Sequence, residues 1–395
     1  MLSNRQLFLL NTAQTSHTPR LIEIDRAEGV YLYGPNGEKY IDLVSGFAVS
    51  NIGHRHPRVL QAIANQLDKF LHVTVYGEFI QAPQVALATK LLAVLPERYD
   101  TVYFTNSGTE ATEGAMKIAK KFTQRREIIA AEKAYHGSTQ GALSLIGNPA
   151  YHTAYAPLLP EINFIRYNHI DDLDKITTAT AAVILEAVQG EAGIRIPDVN
   201  YMQAVRKRCD EMGALLILDE IQTGFGRTGK LFAFQHYGIQ PDILLLAKGM
   251  GGGMPIGAFV ANKAIMDVIK ENPMLGHITT FGGHPVSCAA ALASLHVILD
   301  EHLVEGVERK AQLFRQYLQH PQINEIRGIG LMLCLQLDTF DQVECISRKC
   351  AENGVIIDWF LHCETALRIA PPLTISEAEI ATACNVILEA IAQQR

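Results

Sequence analysis

At 395 residues the chain exceeds one ordinary core and allows two or more lobes, or one large α/β unit with appendages. With 48% hydrophobic and 19% charged residues it belongs with folded globular proteins, which excludes the disordered and fibrous classes. A net charge of −7 and the lack of a long Lys/Arg run exclude a basic stripe for nucleic acid.

The N-terminus, MLSNRQLFLLNTAQTS, carries an apolar cluster only at 7–10, too short for a signal peptide, and no later run approaches a membrane span. A cytoplasmic location, without membrane or nucleic-acid partners, is the expectation. GVYLYGPNGEKYIDLVSG (29–46) has two alternating segments around a Pro-Asn-Gly turn, which predicts an antiparallel hairpin. GHRHP then brings His54 and His56 together, but no third ligand follows at zinc spacing, so both are read as structural and no metal is expected.

Short apolar runs follow, each leading through a polar or glycine-bearing turn toward a helical pattern: TVYF (101–104), EIIAA (127–131), INFIRY (162–167), AAVILEA (181–187), ALLILDE (214–220), DILLLA (242–247) and IGAFVA (256–261). Continuous apolar strands alternating with helices predict an α/β fold with a mostly parallel sheet covered on both faces. Beyond residue 300, a helical stretch, IRGIGLMLCLQL (326–337) and ALRIAPP (366–372) suggest a smaller α+β lobe. The expected division is an N-terminal segment, 1–65, packing with that lobe; a large domain, 66–300; and a C-terminal small domain, 301–395. Seven cysteines scattered from Cys209 to Cys384 without a CxxC pair read as free thiols, mostly buried.

Ligands in such a layout bind beyond the carboxyl ends of the strands, which directs attention to three places. Asn106-Ser107-Gly108-Thr109-Glu110 opens a helix with small or apolar residues at Ala111, Ala115, Ile118, Ala119 and Phe122. Its first amides and hydroxyls suit an anion, though an ordinary N-cap has the same appearance. Asp219 ends ALLILD, where a buried carboxylate needs a cation or proton donor, and Gln222 lies one turn on. Lys248 ends DILLLAK before the glycine cluster GMGGGMPIG, so a partly desolvated amine faces space cleared of side chains. Separately, each has a bland reading as a cap or a snorkelling lysine. Together, an amine to form a Schiff base, a carboxylate for a pyridine nitrogen and a helix start for a phosphate are what pyridoxal 5′-phosphate requires.

On the motifs SGTEA, YHG, EAVQGE, LDEIQTGFGRTG, PDILLLAKGMGGGMPIGA, TTFGGHP and LRIAPP, the chain resembles the class III, fold type I, pyridoxal-phosphate aminotransferases, from about Gly29 to the C-terminus. That group includes acetylornithine, ornithine and 4-aminobutyrate aminotransferases. The resemblance implies that Lys248 is catalytic and tethers the cofactor, Ser107, Gly108 and Thr109 meet its phosphate, and Tyr135 stacks on its ring. Asp219 and Gln222 match the groups at the pyridine nitrogen and ring hydroxyl. Thr280 matches a phosphate contact from the neighbouring subunit, which implies a homodimer with shared sites. Arg368 matches the arginine that grips a substrate carboxylate, and Glu191 the glutamate that pairs with it while an ω-amine donor is bound. Ser138 and Thr279 are placed with the substrate. His136 and Glu186 lie in the same blocks and stay open to two readings, packing behind the site or, for His136, contact with the cofactor.

Ser138 stands where the acetylornithine and ornithine enzymes carry an arginine, His284 where GGNP has asparagine, and Ala187 where EPVQGE has proline. The first of these removes a carboxylate anchor. The expected reaction is a ping-pong transamination from an ω-amino acid, acetylornithine or a relative, to 2-oxoglutarate. Alternatives are 4-aminobutyrate, lysine or amine:pyruvate transamination, an aminomutase or racemase using the same cofactor, and a silent binding protein on this fold.

Overall fold

The computed structural model describes residues 2–393. Its largest sheet has seven strands: β1 (Thr101–Thr105), β2 (Glu127–Ala131), β3 (Ile162–Ile165), β4 (Thr180–Glu186), β5 (Leu215–Asp219), β6 (Ile243–Leu246) and β7 (Gly257–Ala261). They lie in the order β1-β7-β6-β5-β4-β2-β3. The pairs from β6 to β3 are parallel, and β7 alone is antiparallel, against both β1 and β6. The link from β6 to β7, residues 247–256, is shorter than the dozen or so residues a parallel crossover needs, so the chain returns in the opposite direction.

These strands read as unbroken apolar runs because both faces are covered. Ile129, Val183, Leu216, Leu218 and Leu244 enter one core, while Ile128, Ile184, Ile217, Ile243 and Leu245 enter the other. The alternation is strict, as the two-residue period of a strand demands. Each such aliphatic side chain stabilises the fold by about 1.5–3 kcal/mol on burial. Helix α1 (Gly108–Thr123) covers the second face with Ala111, Ala115, Ile118 and Ala119, whose small size lets its backbone approach β6 and β7. Phe122, expected in the same stripe, is instead 41% exposed.

The hairpin predicted at the N-terminus forms between Tyr31–Tyr33 and Lys39–Asp42, with Tyr31 opposite Ile41. Its second strand pairs in parallel with Val355–Ile356, which ties the two ends of the chain together. A second small sheet has the order Glu325–Ile329, Met332–Gln336, Cys363–Ile369, Asp358–Phe360. Val30, Ile41 and Leu43 share a core with residues between 307 and 391. The helix Pro57–Leu67 spans the expected boundary after residue 65, and its Val59 packs with Ile52 in the larger core. We propose a two-lobe division with that first boundary nearer residue 50. His54 and His56 are both in pairs, with Asp42 Oδ2 at 2.8 Å and Glu301 Oε1 at 3.3 Å. Among the described residues no helix is long and apolar enough to cross a membrane. The seven cysteines are free, five of them buried.

Candidate active site

Three neighbouring strands deliver titratable side chains to one edge of the sheet. Glu186 ends β4, Asp219 ends β5, and the two are register partners. Lys248 follows β6, two residues past its end, in a short turn of 3-10 helix, Lys248–Gly251. Its φ of 47° puts a non-glycine residue in the left-handed region, a strain that the surrounding structure must hold.

A cavity of about 520 Å³ opens at this edge. Ser107, Gly108, Thr109, Tyr135, His136, Ser138, Glu191, Asp219, Gln222 and Lys248 all line it, so ten of the residues singled out from sequence converge. Ser107 is the N-cap of α1, its Oγ accepting the Glu110 amide at 3.3 Å. The first amides of a helix have no acceptor within it, so Gly108 and Thr109 present N–H groups and a positive dipole end at the cavity wall. Thr109 Oγ1 lies 2.7 Å from Thr139 Oγ1. Two glycines of the motifs exist for space. A Cβ on Gly137 would collide with Thr109, and one on Gly190 with the carboxamide oxygen of Gln222.

Asp219 is held on both oxygens: Oδ1 accepts the Ile221 amide at 2.8 Å, and Oδ2 lies 2.7 Å from His136 Nδ1. Burial pulls the His136 pKa down, but the hydrogen bond and charge of Asp219, helped by Glu186, outweigh it and leave the imidazole basic. Its Nε2 is buried without a hydrogen-bond partner. Glu186 accepts the amides of Tyr135 at 3.1 Å and Gly190 at 2.8 Å, while burial raises its pKa to about 7. Burial likewise lowers the Lys248 pKa from its ordinary 10.5, against the opposing pull of Glu191. This amine is a better nucleophile than a surface lysine.

Three expected residues do not line the cavity. Arg368, on the strand Cys363–Ile369, is buried behind Glu191, with Nη2 at 2.8 and 2.7 Å from the two carboxylate oxygens. That cation, opposing burial, lowers the Glu191 pKa. Thr279 Oγ1 accepts from Asn106 Nδ2 and the Gly282 amide, both at 3.1 Å, so its hydroxyl braces the loop before α1. Thr280 is exposed. Asn106, which opens the stretch before α1, also lines the cavity, as do Val49 and Ile221, which sequence reasoning overlooked. It also overlooked Phe47 and Phe360, whose rings lie 4.9 and 4.6 Å from the Arg368 guanidinium carbon. Neither aromatic belongs to the motifs that carry the resemblance.

The groups present suit a phosphorylated pyridine aldehyde. A dipole end with free amides fits the phosphate, an amine of lowered pKa fits the aldehyde, and a carboxylate already fixed by two donors fits a protonated ring nitrogen.

Comparison with known proteins agrees. The family model described as "Aminotransferase class-III" matches residues 12–391. An acetylornithine aminotransferase of Methanopyrus kandleri is 38% identical over 92% of each chain. A putrescine aminotransferase of Pectobacterium atrosepticum is 41% identical over 88% of this chain and 79% of its own. The crystal structure of the ornithine aminotransferase from Toxoplasma gondii superposes with a TM-score of 0.91 at 30% identity, covering 99% of this chain and 96% of that one. A matched span of nearly the whole length, together with a cavity built on Lys248, Asp219 and the start of α1, means that the chain belongs to the class III aminotransferases, enzymes that depend on pyridoxal 5′-phosphate.

Proposed function

We propose that this aminotransferase takes the terminal amino group of an ω-amino acid of the acetylornithine or ornithine type and delivers it to 2-oxoglutarate in two half-reactions. The single observation that carries the reading is the ion pair of Glu191 with buried Arg368 beside the cavity. A site whose arginine is neutralised admits the uncharged end of a donor first. A keto acid can then compete for the same guanidinium.

The residues divide the work as follows. Gly108 and Thr109, with Ser107, would hold the phosphate, Tyr135 would cover the ring, and Gln222 would meet its hydroxyl. Asp219 would hold the proton on the ring nitrogen, with His136 keeping that carboxylate in place. The cofactor supplies an electron sink for the carbon that bears the amine. Lys248 would hold the cofactor covalently. With a donor in the site, its Nζ, uncharged through its lowered pKa, would accept the proton lost from the donor's amine-bearing carbon and hold it for return within the site. Glu191 and Arg368 would sort donor from acceptor.

A homodimer and a cytoplasmic location complete the proposal. Exposed apolar side chains cluster on two adjoining segments, with Leu71, Phe79 and Ile80 on one and Met274, Leu275 and Phe281 on the other, and His72 packs against Phe281 at 4.8 Å. Such a patch suits burial against a second copy. Thr280, next to Phe281 in the chain, is exposed and does not line its own chain's cavity, as suits a residue serving the neighbouring subunit.

A second reading, a diamine donor, has its own support. Ser138 lines the cavity where the resembled enzymes carry an arginine, and one relative is a putrescine aminotransferase. The deciding experiment is a donor panel of acetylornithine, ornithine, lysine, 4-aminobutyrate and putrescine, with 2-oxoglutarate and pyruvate as acceptors, following glutamate or alanine. An aminomutase would turn over without consuming a keto acid. A silent binding protein would turn over nothing.

A further inference from the structure

Arg368 is nearly inaccessible, at 1% exposure, and only its Nη2 is spent on Glu191 and, at 3.3 Å, the Trp359 carbonyl. Its Nε and Nη1 are buried without a partner. A guanidinium so removed from water needs compensation, and two aromatic rings supply it, those of Phe47 and Phe360. Rings stabilise the charge without consuming its N–H donors. Those donors are thereby kept for a carboxylate.

The two rings are mounted differently. Phe360 is buried in the short strand Asp358–Phe360, which pairs with the strand carrying Arg368. Phe47 stands on a left-handed turn in which Ser45, Gly46, Phe47 and Ala48 all have φ between 52° and 65°. Three of these are not glycine, so the conformation has to be imposed. Asp42 Oδ1 imposes it by accepting the amides of Val44 at 2.9 Å and Ser45 at 2.8 Å. The Ala370 amide, two residues beyond Arg368, donates to the Leu43 carbonyl at 2.7 Å and fixes the turn to the arginine's own strand. Val49, just after the turn, lines the cavity.

We infer that Phe47 is a positioning residue for the acceptor half-reaction, holding the Arg368 guanidinium in place while the carboxylate of the keto acid replaces that of Glu191. The inference rests on the reading that Arg368 binds that carboxylate. Without the ring, the exchange passes through a buried cation with less compensation, and the arginine loses its fixed plane. The donor half-reaction, in which Glu191 stays paired, does not draw on Phe47 in this way.

The test compares Phe47→Leu, Phe47→Tyr and Arg368→Gln holoenzymes, each half-reaction followed separately by stopped flow. Phe47→Leu is expected to raise the KM for 2-oxoglutarate about tenfold, the scale of one desolvated cation–π contact, with its limiting rate nearly unchanged. The half-reaction with a carboxylate-free amine should be unaffected, and Phe47→Tyr should restore the wild-type KM. Calorimetric binding of glutarate, which cannot react, should weaken by the same factor in Phe47→Leu. If Arg368→Gln raises the keto-acid KM but Phe47→Leu does not, the role of Phe47 is refuted and the reading of Arg368 stands. If Arg368→Gln changes nothing either, both fall. An equal loss in both half-reactions of Phe47→Leu would mark a general structural role and also overturn the inference.

Discussion

Glu186 and Asp219 are register partners at the carboxyl ends of adjacent parallel strands, so two carboxyl groups emerge side by side at the floor of the cavity. Two buried acids this close cannot both stay ionised at little cost, and the structure separates their roles. Burial lifts Glu186 to about 7, while Asp219 has the His136 N–H and the Ile221 amide to stabilise its charge. The acid whose two oxygens are each met by a donor is therefore the one placed for a protonated ring nitrogen.

Replacing Asp219 by Asn tests that division. The variant should fold and bind cofactor, yet kcat should fall at least about a hundredfold, the lower scale for losing a group that holds a proton in place. His136 reports independently. With the Asp219 charge gone, burial is opposed by Glu186 alone, and the imidazole pKa should drop. Nitrogen NMR of His136 in wild type and variant measures this. An imidazole that stays protonated to the same pH would contradict the assignment.

Lys248 makes a prediction about stability rather than rate. Its pKa in the folded chain is depressed below the ordinary 10.5. Between the folded and unfolded values the unfolded state binds more protons, so stability rises with pH across that window. Below it, the cost of the buried cation is present in full. Lys248→Met removes the cation, and the cofactor-free variant should melt a few degrees above wild type at about pH 7, given about 2–4 °C per kcal/mol for domains of 150–250 residues. The advantage should shrink as pH rises toward 10.5. Thermal melts of both apoproteins across that range check it, and a gain that grows with pH would carry the wrong sign. The same variant, reduced with borohydride after exposure to cofactor, should show no cofactor mass on the denatured chain.

The strand ends were legible because a continuous apolar run stopping on Asp219 or Lys248 has no cheap explanation in packing alone. Buried strands announce themselves by composition, and parallel order follows from the helices between them. What escaped was set by contacts between distant segments. Nothing in SGFA marks Ser45 and Ala48 for the left-handed region, because the cause is Asp42 accepting two amides. Phe360 in DWF gains its meaning only when Cys363–Ile369 brings Arg368 alongside. The direction of β7 depends on the length of a connection, which an apolar run does not display. The contact of Thr279, expected with the substrate, to Asn106 likewise joins segments far apart in the chain.

Ser138 offers a test of donor class. Its Oγ lies 3.1 Å from the Tyr135 hydroxyl at the cavity wall, and the basic residues lining the cavity, among those described, are Lys248 and His136. Ser138→Arg places a cation where a donor's far end would lie. The KM for acetylornithine and ornithine should fall, and that for putrescine should rise, each by about tenfold, equivalent to one favourable or adverse charge contact of about 1.4 kcal/mol. The measured quantity is the ratio of kcat/KM between carboxylate-bearing donors and the diamine. A ratio unmoved by the substitution would remove Ser138 from specificity.

Glu191→Gln tests the switch itself. The carboxylate holds Arg368 through Nη2 alone, and it also accepts the Leu361 amide at 3.1 Å, so it is anchored to the segment before the strand that carries the arginine. A neutral carboxamide can keep that amide contact but cannot neutralise the guanidinium. Arg368 then attracts any carboxylate that enters, whether on a keto acid or on an α-amino acid. The KM for 2-oxoglutarate should fall, and L-glutamate, the product of that half-reaction, should become a better donor in its reverse, because its α-carboxylate no longer has to displace an anion. The ω-donor should lose ground by comparison, since its uncharged end now meets an unpaired cation, an arrangement that leaves the charge uncompensated. Half-reaction rates with L-glutamate and with the best ω-donor, measured on the same preparation, give the discrimination directly. It should shift toward L-glutamate by at least about tenfold. An unchanged ratio would mean that the ion pair serves the fold and not the choice of substrate.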